Sequence, residues 1–245
     1  HMIEKKTCNI LGTNIAVTNM DETVAIIENE IENLRGRYIC VSNVHTTIMA
    51  YENPEYQKVQ NSAAIALPDG KPLSVYSRKH GYTEAARVTG PDLMEELFTR
   101  DNGLRHYFYG GTEETIKILE KKLKDKYPHL QIVGMVSPPF RKLSKEEDAI
   151  EIAKMNESNA DIIWIGLGAP KQENYMYEHR GLAHGVMIGV GAGFDYHADT
   201  IKRAPKWMQK ASLEWLYRLL QDPRRLFGRY MKTNFKYLWL TRGKR

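Results

Sequence analysis

Short apolar runs alternate with segments of helical periodicity along the first 200 residues of the chain. Buried strands are predicted at those runs, which span residues 38–42, 63–67, 106–109, 131–136, 162–165 and 186–190. Continuous apolar runs are typical of strands buried on both faces, and intervening helices allow neighbouring strands to run parallel. The pattern therefore predicts an α/β protein with a mostly parallel sheet and helices on both faces.

Turn and cap residues place several of the remaining elements. A hairpin is predicted over residues 8–17. Asn19, with Glu22 three residues later, is typical of a helix N-terminus. A helical segment over residues 46–62 is expected to break before Pro54. Further helices are predicted over residues 112–126 and 144–158.

The last fifth of the chain differs in composition from the rest. The net charge is +5, but residues 201–245 contain 13 Lys and Arg against 2 Asp and Glu. Residues 1–200 contain 22 Lys and Arg against 28 Asp and Glu. The basic segment also holds three of the four tryptophans, and its leucines keep helical spacing up to Asp222. We therefore predict an α/β body, residues 1–200, and a helical C-terminal appendage, residues 201–245.

An acidic body and a basic, aromatic appendage indicate an anionic partner for the appendage. Nucleic acid, phospholipid headgroups and a phosphorylated substrate all carry suitable charge. Aromatic residues interleaved with Lys and Arg are typical of a helix that lies on anionic lipid. A docked terminal helix pair with a solvated basic face has the same pattern. Nucleic acid fits least, because the body is acidic and no nucleic-acid-binding motif is recognisable.

Two protein classes are excluded by the sequence. No apolar run approaches the ~18–20 residues needed to cross a bilayer, so no transmembrane helix is expected. Cys8 and Cys40 are too few for a disulfide framework, and no signal-peptide pattern opens the chain. We expect a cytosolic protein with free thiols. Its oligomeric state is left open, a homo-oligomer included.

Unusual polar residues follow several predicted strands, where ligands of α/β sheets bind. Asp69 lies between a rigid Pro68 and a permissive Gly70, which suits a general base. The same tripeptide is also an ordinary turn in which the aspartate caps its own backbone. Asn43 follows the strand YICVS and could hold a sugar hydroxyl or a phosphate, or cap a helix. Arg87 could reach a phosphate or be solvated.

Two glycine-rich strings follow later strands. In GLGAPKQE (166–173), the glycines, a helix N-terminus and Lys171 are suited to binding a phosphate, although a tight strand-to-helix turn would use similar residues. GVGAGFD (189–195) partly matches the dinucleotide fingerprint, but its third glycine comes one residue early and the residues beyond it are a poor helix start. We interpret it as a backbone cradle near a nucleotide, with no preference for NAD. The residues that it offers are Gly189, Gly191, Gly193 and Asp195.

Several catalytic signatures are missing from the sequence. There is no Walker A loop, no G-x-S-x-G elbow, no H-E-x-x-H and no zinc-type Cys/His cluster. The Asp-x-Asp pair with which many nucleotide-sugar enzymes hold a divalent metal is also missing. If the chain binds a diphosphate, we expect Arg, Lys and backbone amides to supply the compensating charge.

Seven strings, in order along about 160 residues, together resemble the WecG/TagA/CpsF family of bacterial glycosyltransferases, glycosyltransferase family 26. They are LPDGKP (67–72), RVTGPDL (87–93), YFYGG (107–111), IGLGAPKQE (165–173), GVGAGFD (189–195), RAPKW (203–207) and LEWLYRL with DPRRLFGRY (213–230). The family includes N-acetylmannosaminyltransferases of wall teichoic acid and enterobacterial common antigen synthesis. The resemblance covers most of the chain, roughly residues 38–230.

The resemblance implies a Rossmann-like α/β body with a helical C-terminal appendage. It also implies an inverting transfer, without metal or cofactor, from a UDP-sugar to a sugar on polyprenyl diphosphate. The family's catalytic carboxylate corresponds to Asp69. Its other site residues correspond to Asn43, Arg87, Gln172, Arg218, Arg225 and Arg229. The family often has Thr two residues before the Asn, where this chain has Val41, so a role for that Thr does not carry over.

On the basis of this resemblance we expect a single displacement. Asp69 removes the proton from O4 of GlcNAc on undecaprenyl diphosphate, and that oxygen attacks the anomeric carbon of UDP-ManNAc. The sequence leaves the donor open among ManNAc, ManNAcA and glucose. The enzyme is expected in the cytoplasm, peripherally on the inner face of the plasma membrane. The rival class, a nucleotide-binding oxidoreductase, would need the GVGAGF loop to start a helix.

Overall fold

Six parallel strands form the central sheet of the protein, for which a computed structural model describes residues 5–243. The strands are β3 (Tyr38–Ser42), β4 (Ile65–Pro68), β5 (Arg105–Gly110), β6 (Gln131–Val136), β7 (Ile162–Gly166) and β8 (Val186–Gly189). Their order across the sheet is β4-β3-β8-β7-β5-β6, and every hydrogen-bonded pair is parallel. A separate antiparallel hairpin, β1 (Thr7–Ile10) and β2 (Thr13–Ala16), precedes them.

Helices connect and cover the strands. Those of the first half are α1 (Met20–Asn29), α2 (Ile31–Leu34), α3 (Val44–Glu52), α4 (Pro54–Asn61), α5 (Lys71–Lys79) and α6 (Gly90–Phe98). The second half contributes α7 (Glu113–Lys126), α8 (Lys145–Glu157), α9 (Lys171–His179) and α10 (Gly193–His197). The chain then continues through α11 (Lys206–Lys210), α12 (Glu214–Gln221) and α13 (Pro223–Thr241).

The core has two layers, one on each face of the sheet. Because side chains alternate along a strand, Ile39 and Val41 enter one apolar cluster, whereas Tyr38 and Cys40 enter the other. The first cluster is closed by side chains of α1, α6 and α7. The second is closed by the hairpin and by α5, α8, α9 and Tyr237 of α13. The predicted α/β fold, with a parallel sheet between two helical layers, is confirmed.

The pairing of β3 with β4 positions two of the predicted site residues. Ser42 and Pro68 are register partners at the carboxyl ends of these neighbouring parallel strands. The next residues, Asn43 and Asp69, therefore leave the same edge of the sheet side by side.

The segment predicted as an appendage carries, from residue 201 to residue 243, much of the exposed apolar surface of the described residues. Its longest helix, α13, contacts α3, and Leu226, Thr233 and Tyr237 are its buried residues. Its exposed apolar side chains are Phe227, Met231, Phe235, Leu238 and Trp239. Within residues 5–243, no helix combines the length and apolar character needed to cross a bilayer. The predicted body and appendage include residues 1–4 and 244–245, which lie outside the described residues.

One local prediction was wrong. The residues after GVGAG do start a helix, since α10 begins at Gly193, but it ends at His197. Phe194 supplies the reason, because its ring is buried in the core beside α7 and anchors this short helix despite a poor helical sequence.

Candidate active site

Asp69 lies at the carboxyl end of β4, in the turn that leads into α5. Its N–H donates to the carbonyl oxygen of Ser42 at 2.7 Å. Gly70 then takes a φ of +88°, a conformation that favours glycine. Within residues 5–243, no group donates a hydrogen bond to the Asp69 carboxylate. The side chain lines a cavity instead of capping the turn.

That cavity has a volume of about 210 Å³ and lies between the body and the appendage. Five basic side chains line it: Lys71, Arg87, Arg203, Arg218 and Arg229. Its aromatic lining is Tyr196, Trp215 and Tyr230. Such a lining can neutralise an anionic ligand while its rings pack against a sugar or a base.

The pKa of Asp69 is raised to about 7, first because burial disfavours the charged carboxylate and second because Glu214 carries a like charge. Arg87, Arg218 and Arg203 act in the opposite direction and favour the charged form. A carboxylate with a pKa near neutrality can accept a proton from a substrate and release it again. The environment is therefore suited to general-base chemistry.

A chain of ion pairs crosses from the body to the appendage at the cavity wall. Arg87 Nη1 donates to Glu214 Oε2 at 3.1 Å, and Arg203 Nε donates to Glu214 Oε1 at 3.0 Å. Arg203 also donates through Nη1 and Nη2 to the carboxylate of Asp92 at the start of α6. Arg87 is therefore neither free nor fully solvated.

Asn43 both caps a helix and faces the site. Its side-chain oxygen accepts the N–H of Thr46 at 2.9 Å, and the Thr46 hydroxyl accepts the N–H of Asn43 at 3.0 Å. This capping box begins α3. Because Asn43 also lines the cavity, the two predicted roles are compatible.

His45 lies in the same cavity wall, and its ring Nδ1 is buried without a hydrogen-bond partner among the described residues. Burial, assisted by the positive charge of Arg229, lowers the pKa of His45 to about 4. The imidazole is therefore neutral at pH 7 and adds no charge to the site.

Of the appendage arginines, Arg218 and Arg229 line the cavity, and Arg225 lies apart from it. The exposed Arg225 donates through Nε to Asp222 at 2.8 Å, at the start of α13.

Gln172 and the glycines Gly189, Gly191 and Gly193 do not line the cavity. The Gln172 amide oxygen accepts the N–H of Gly191 at 3.0 Å. A Cβ at Gly189 would lie 2.8 Å from Met176 Cε, and one at Gly193 would lie 2.7 Å from Met94 Sδ. These contacts give the residues a packing role.

Lys171 and Asp195 are also separated from Asp69. Lys171 lines a second cavity of about 690 Å³, together with Tyr175 and others at the ends of β5 and β7. The Asp195 carboxylate accepts hydrogen bonds from Thr115 and Thr200 at 3.4 and 3.0 Å.

Sequence reasoning missed Arg203, Glu214 and Trp215 as site residues. The signal was present, because all three lie in RAPKW and LEWLYRL, two of the strings that carry the family resemblance. Their convergence depends on how the appendage packs, which local sequence does not reveal.

Comparison with known proteins decides the family. The model of the glycosyl transferase WecG/TagA/CpsF family matches residues 8–245. The chain belongs to this family. The predicted family membership and enzyme class, a glycosyltransferase, are therefore confirmed.

Two curated members of the family show the extent of the similarity. The N-acetylglucosaminyldiphosphoundecaprenol N-acetyl-beta-D-mannosaminyltransferase of Bacillus subtilis is 32% identical over 178 residues, covering 71% of this chain and 67% of the relative. The protein of the same name from Bacillus spizizenii is 33% identical over 180 residues, covering 72% of this chain and 68% of the relative.

Proposed function

We propose that this glycosyltransferase moves N-acetylmannosamine from UDP-ManNAc to O4 of GlcNAc on undecaprenyl diphosphate. The names of the relatives support the acceptor and the transferred sugar. The observation that carries the proposal is the cavity in which Asp69 faces basic side chains from both the body and the appendage.

Asp69 acts as the general base. It takes the proton from the acceptor hydroxyl while that oxygen forms a bond to the anomeric carbon of the donor. The bond from that carbon to the diphosphate breaks in the same step, and UDP leaves with the electron pair. One displacement inverts the anomeric carbon and needs no protein nucleophile. The pKa of Asp69, near 7, allows it to be charged before the step and protonated after it.

The cationic wall stabilises the departing diphosphate. Arg87 and Arg218 lie among the groups that act electrostatically on Asp69, and Arg229 lines the same cavity. Guanidinium groups bind phosphate oxygens through paired hydrogen bonds, and charge that develops on the leaving group is where such stabilisation matters most. Asn43 lines the same cavity, and we propose that it holds a sugar hydroxyl beside Asp69.

The appendage brings the site to the membrane. Phe227, Met231, Phe235 and Leu238 recur at intervals of three or four residues, so they share one face of α13, and all four are exposed. Exposed Arg224, Arg225 and Lys232 lie on the same helix. An exposed apolar stripe beside basic residues is suited to an anionic lipid surface. We propose that residues 201–245 are this membrane-associating unit and that it acts at the inner face of the plasma membrane.

The test is transfer of radiolabelled sugar to a short-chain GlcNAc-diphosphate lipid. UDP-ManNAc is expected to give a labelled disaccharide lipid, and UDP-glucose serves as the control donor. An acceptor that stays unlabelled with UDP-ManNAc, UDP-ManNAcA and UDP-glucose, even at high enzyme concentration, would refute the proposal. A product formed only with UDP-ManNAcA or UDP-glucose would show that the donor is that UDP-sugar, and the proposed acceptor would stand.

A further inference from the structure

Glu214, the first residue of α12, has no part in the proposed chemistry although it lines the cavity. Asp69 is the other carboxylate among the described lining residues. A negative side chain repels a diphosphate, so its place in a cationic site calls for a physical reason.

The contacts of Glu214 supply that reason. Its two carboxylate oxygens accept from different guanidinium groups, Oε1 from Arg203 and Oε2 from Arg87. Arg87 precedes α6 in the body, whereas Arg203 precedes α11. Arg203 is fixed in turn by Asp92 and by the hydroxyl of Thr89. Glu214 is thus the acceptor that joins the start of α12 to two segments at once.

This arrangement differs from an ordinary surface ion pair. The side chains of Glu214 and Arg87 are each 22% exposed, and that of Arg203 is 19% exposed. Exposed single pairs contribute little, whereas partly buried carboxylates with two guanidinium partners are held in a defined geometry. Removing the Glu214 carboxylate would leave the guanidinium groups of Arg87 and Arg203 partly desolvated and without this hydrogen-bond acceptor.

The same helix carries two other residues of the cavity wall. Trp215 follows Glu214 directly, and Arg218 lies four residues after Glu214, one helical turn along α12. The Trp215 ring also packs edge-on against Tyr230 of α13, with centroids 6.5 Å apart. The position of Glu214 therefore determines where Trp215 and Arg218 lie in the cavity wall.

We propose that Glu214 is a positioning residue for the transfer reaction, which by bridging Arg87 and Arg203 holds the start of α12 against the body and so places Trp215 and Arg218 beside Asp69. This role rests on the proposed function. It also explains why residues 201–245, which contain 13 Lys and Arg and only 2 Asp and Glu, have a glutamate at position 214.

The charge of Glu214 gives the role a signature in the pH profile. The charged groups facing Asp69 come from several elements: Lys71 from α5, Arg87 and Arg203 from the loops before α6 and α11, Glu214 and Arg218 from α12, and Arg229 from α13. His45 of α3, which is neutral near pH 7, and the phenols of Tyr196 and Tyr230 also line the cavity. Glu214 is the negative member of this set. Its neutralisation lowers the pKa of Asp69, and the acidic limb of kcat/KM moves to lower pH.

The experiment compares Glu214→Gln, Glu214→Ala and a matched control, Glu52→Gln, in the full chain. Glu52 of α3 pairs with Lys236 of α13, so it also joins body to appendage, but it is exposed and outside the cavity. We expect the acidic limb of Glu214→Gln to lie at lower pH than that of the wild type. In Glu214→Ala, amide hydrogen exchange over residues 214–221 should be about tenfold faster, because the helix has lost the partly buried carboxylate that holds it to Arg87 and Arg203. The control should match the wild type in both measurements.

An acidic limb of Glu214→Gln that coincides with the wild type would overturn the proposal, as would unchanged exchange in Glu214→Ala or equal acceleration in Glu52→Gln. Failure of the proposed function has a different outcome, since the wild type would then transfer no sugar. In that case the exchange measurement still tests whether Glu214 holds α12.

Discussion

The main-chain N–H of Asp69 donates to the carbonyl oxygen of Ser42 at 2.7 Å, which extends the pairing of β4 with β3 by one residue beyond Pro68. This bond fixes the backbone of the proposed base against the neighbouring strand, just where the capped helix α3 begins at Asn43. The base is therefore held by the sheet itself, and its side chain is left for the cavity.

Replacing Asp69 by Asn should abolish most of the transfer activity without unfolding the protein. The amide keeps the size of the carboxylate but cannot accept the acceptor's proton, and a general base contributes ~10²–10⁴-fold. The measurement is kcat with saturating substrates. Asp199→Asn is a suitable control, since Asp199 is an exposed carboxylate paired with Lys122. Turnover by Asp69→Asn within a few-fold of the wild type would rule out Asp69 as the base.

Activity should fall as the pH drops below about 7. The pKa of Asp69 is raised to about 7 by burial and Glu214, so below that pH the base is protonated and kcat/KM is expected to fall about tenfold per pH unit. A pH–rate profile of the wild type measures this limb. A flat profile between pH 5 and 8 would contradict the assignment.

The raised pKa of Asp69 also predicts how stability depends on pH: stability should fall as the pH rises, whereas activity should increase. An unfolded aspartate titrates near 4, whereas Asp69 in the folded protein keeps its proton up to about pH 7. Between these two pH values only the unfolded chain releases the proton, so the folded state loses stability as the pH rises from about 4 to about 7. Asp69→Asn removes this loss. Its melting temperature should exceed that of the wild type by a few degrees at pH 8, since ~1 kcal/mol shifts a chain of this size by ~2–4 °C. At pH 4 the two proteins should melt together, and a constant difference across this range would refute the argument.

The fold could be predicted because strand burial is a local property. Tyr38–Ser42 is buried along its whole length, and that is visible as a continuous apolar run. The position of Asp69 at the edge of the sheet followed from the same logic. Glu214 could not be identified in this way, because its partners Arg87 and Arg203 lie 127 and 11 residues away along the chain and only tertiary packing brings the three together. The role of the glycines of GVGAGFD is not fixed by sequence for a related reason, since a packing glycine and a ligand-binding glycine look alike in a sequence.

Gly193→Ala tests that distinction. The new methyl group would lie 2.7 Å from Met94 Sδ and 3.3 Å from Val190 Cβ, and Met94 is fully buried and cannot swing into solvent. Overpacking of this kind costs about 1–3 kcal/mol. Chemical denaturation should show this loss, while UDP affinity measured on the folded protein stays at the wild-type value. Gly228→Ala is the control, because a Cβ there meets open space. Weakened UDP binding with unchanged stability would instead support a ligand-binding role for Gly193.

Membrane association should depend on the exposed apolar stripe of α13. Phe235 and Leu238 are 64% and 65% exposed, so changing both to Ser leaves the core intact. Each large apolar side chain contributes ~1.5–3 kcal/mol when it is buried, and the double variant should bind vesicles rich in phosphatidylglycerol at least tenfold more weakly. Phe140→Ser is the matched control, because Phe140 is 85% exposed but lies outside the appendage. Basic residues contribute ~1 kcal/mol each near an anionic surface and are screened by salt, so wild-type binding should weaken in 0.5 M salt and on phosphatidylcholine alone. Cosedimentation with vesicles measures all of these, and equal losses in the Phe140 variant would show that α13 is not the membrane-binding element.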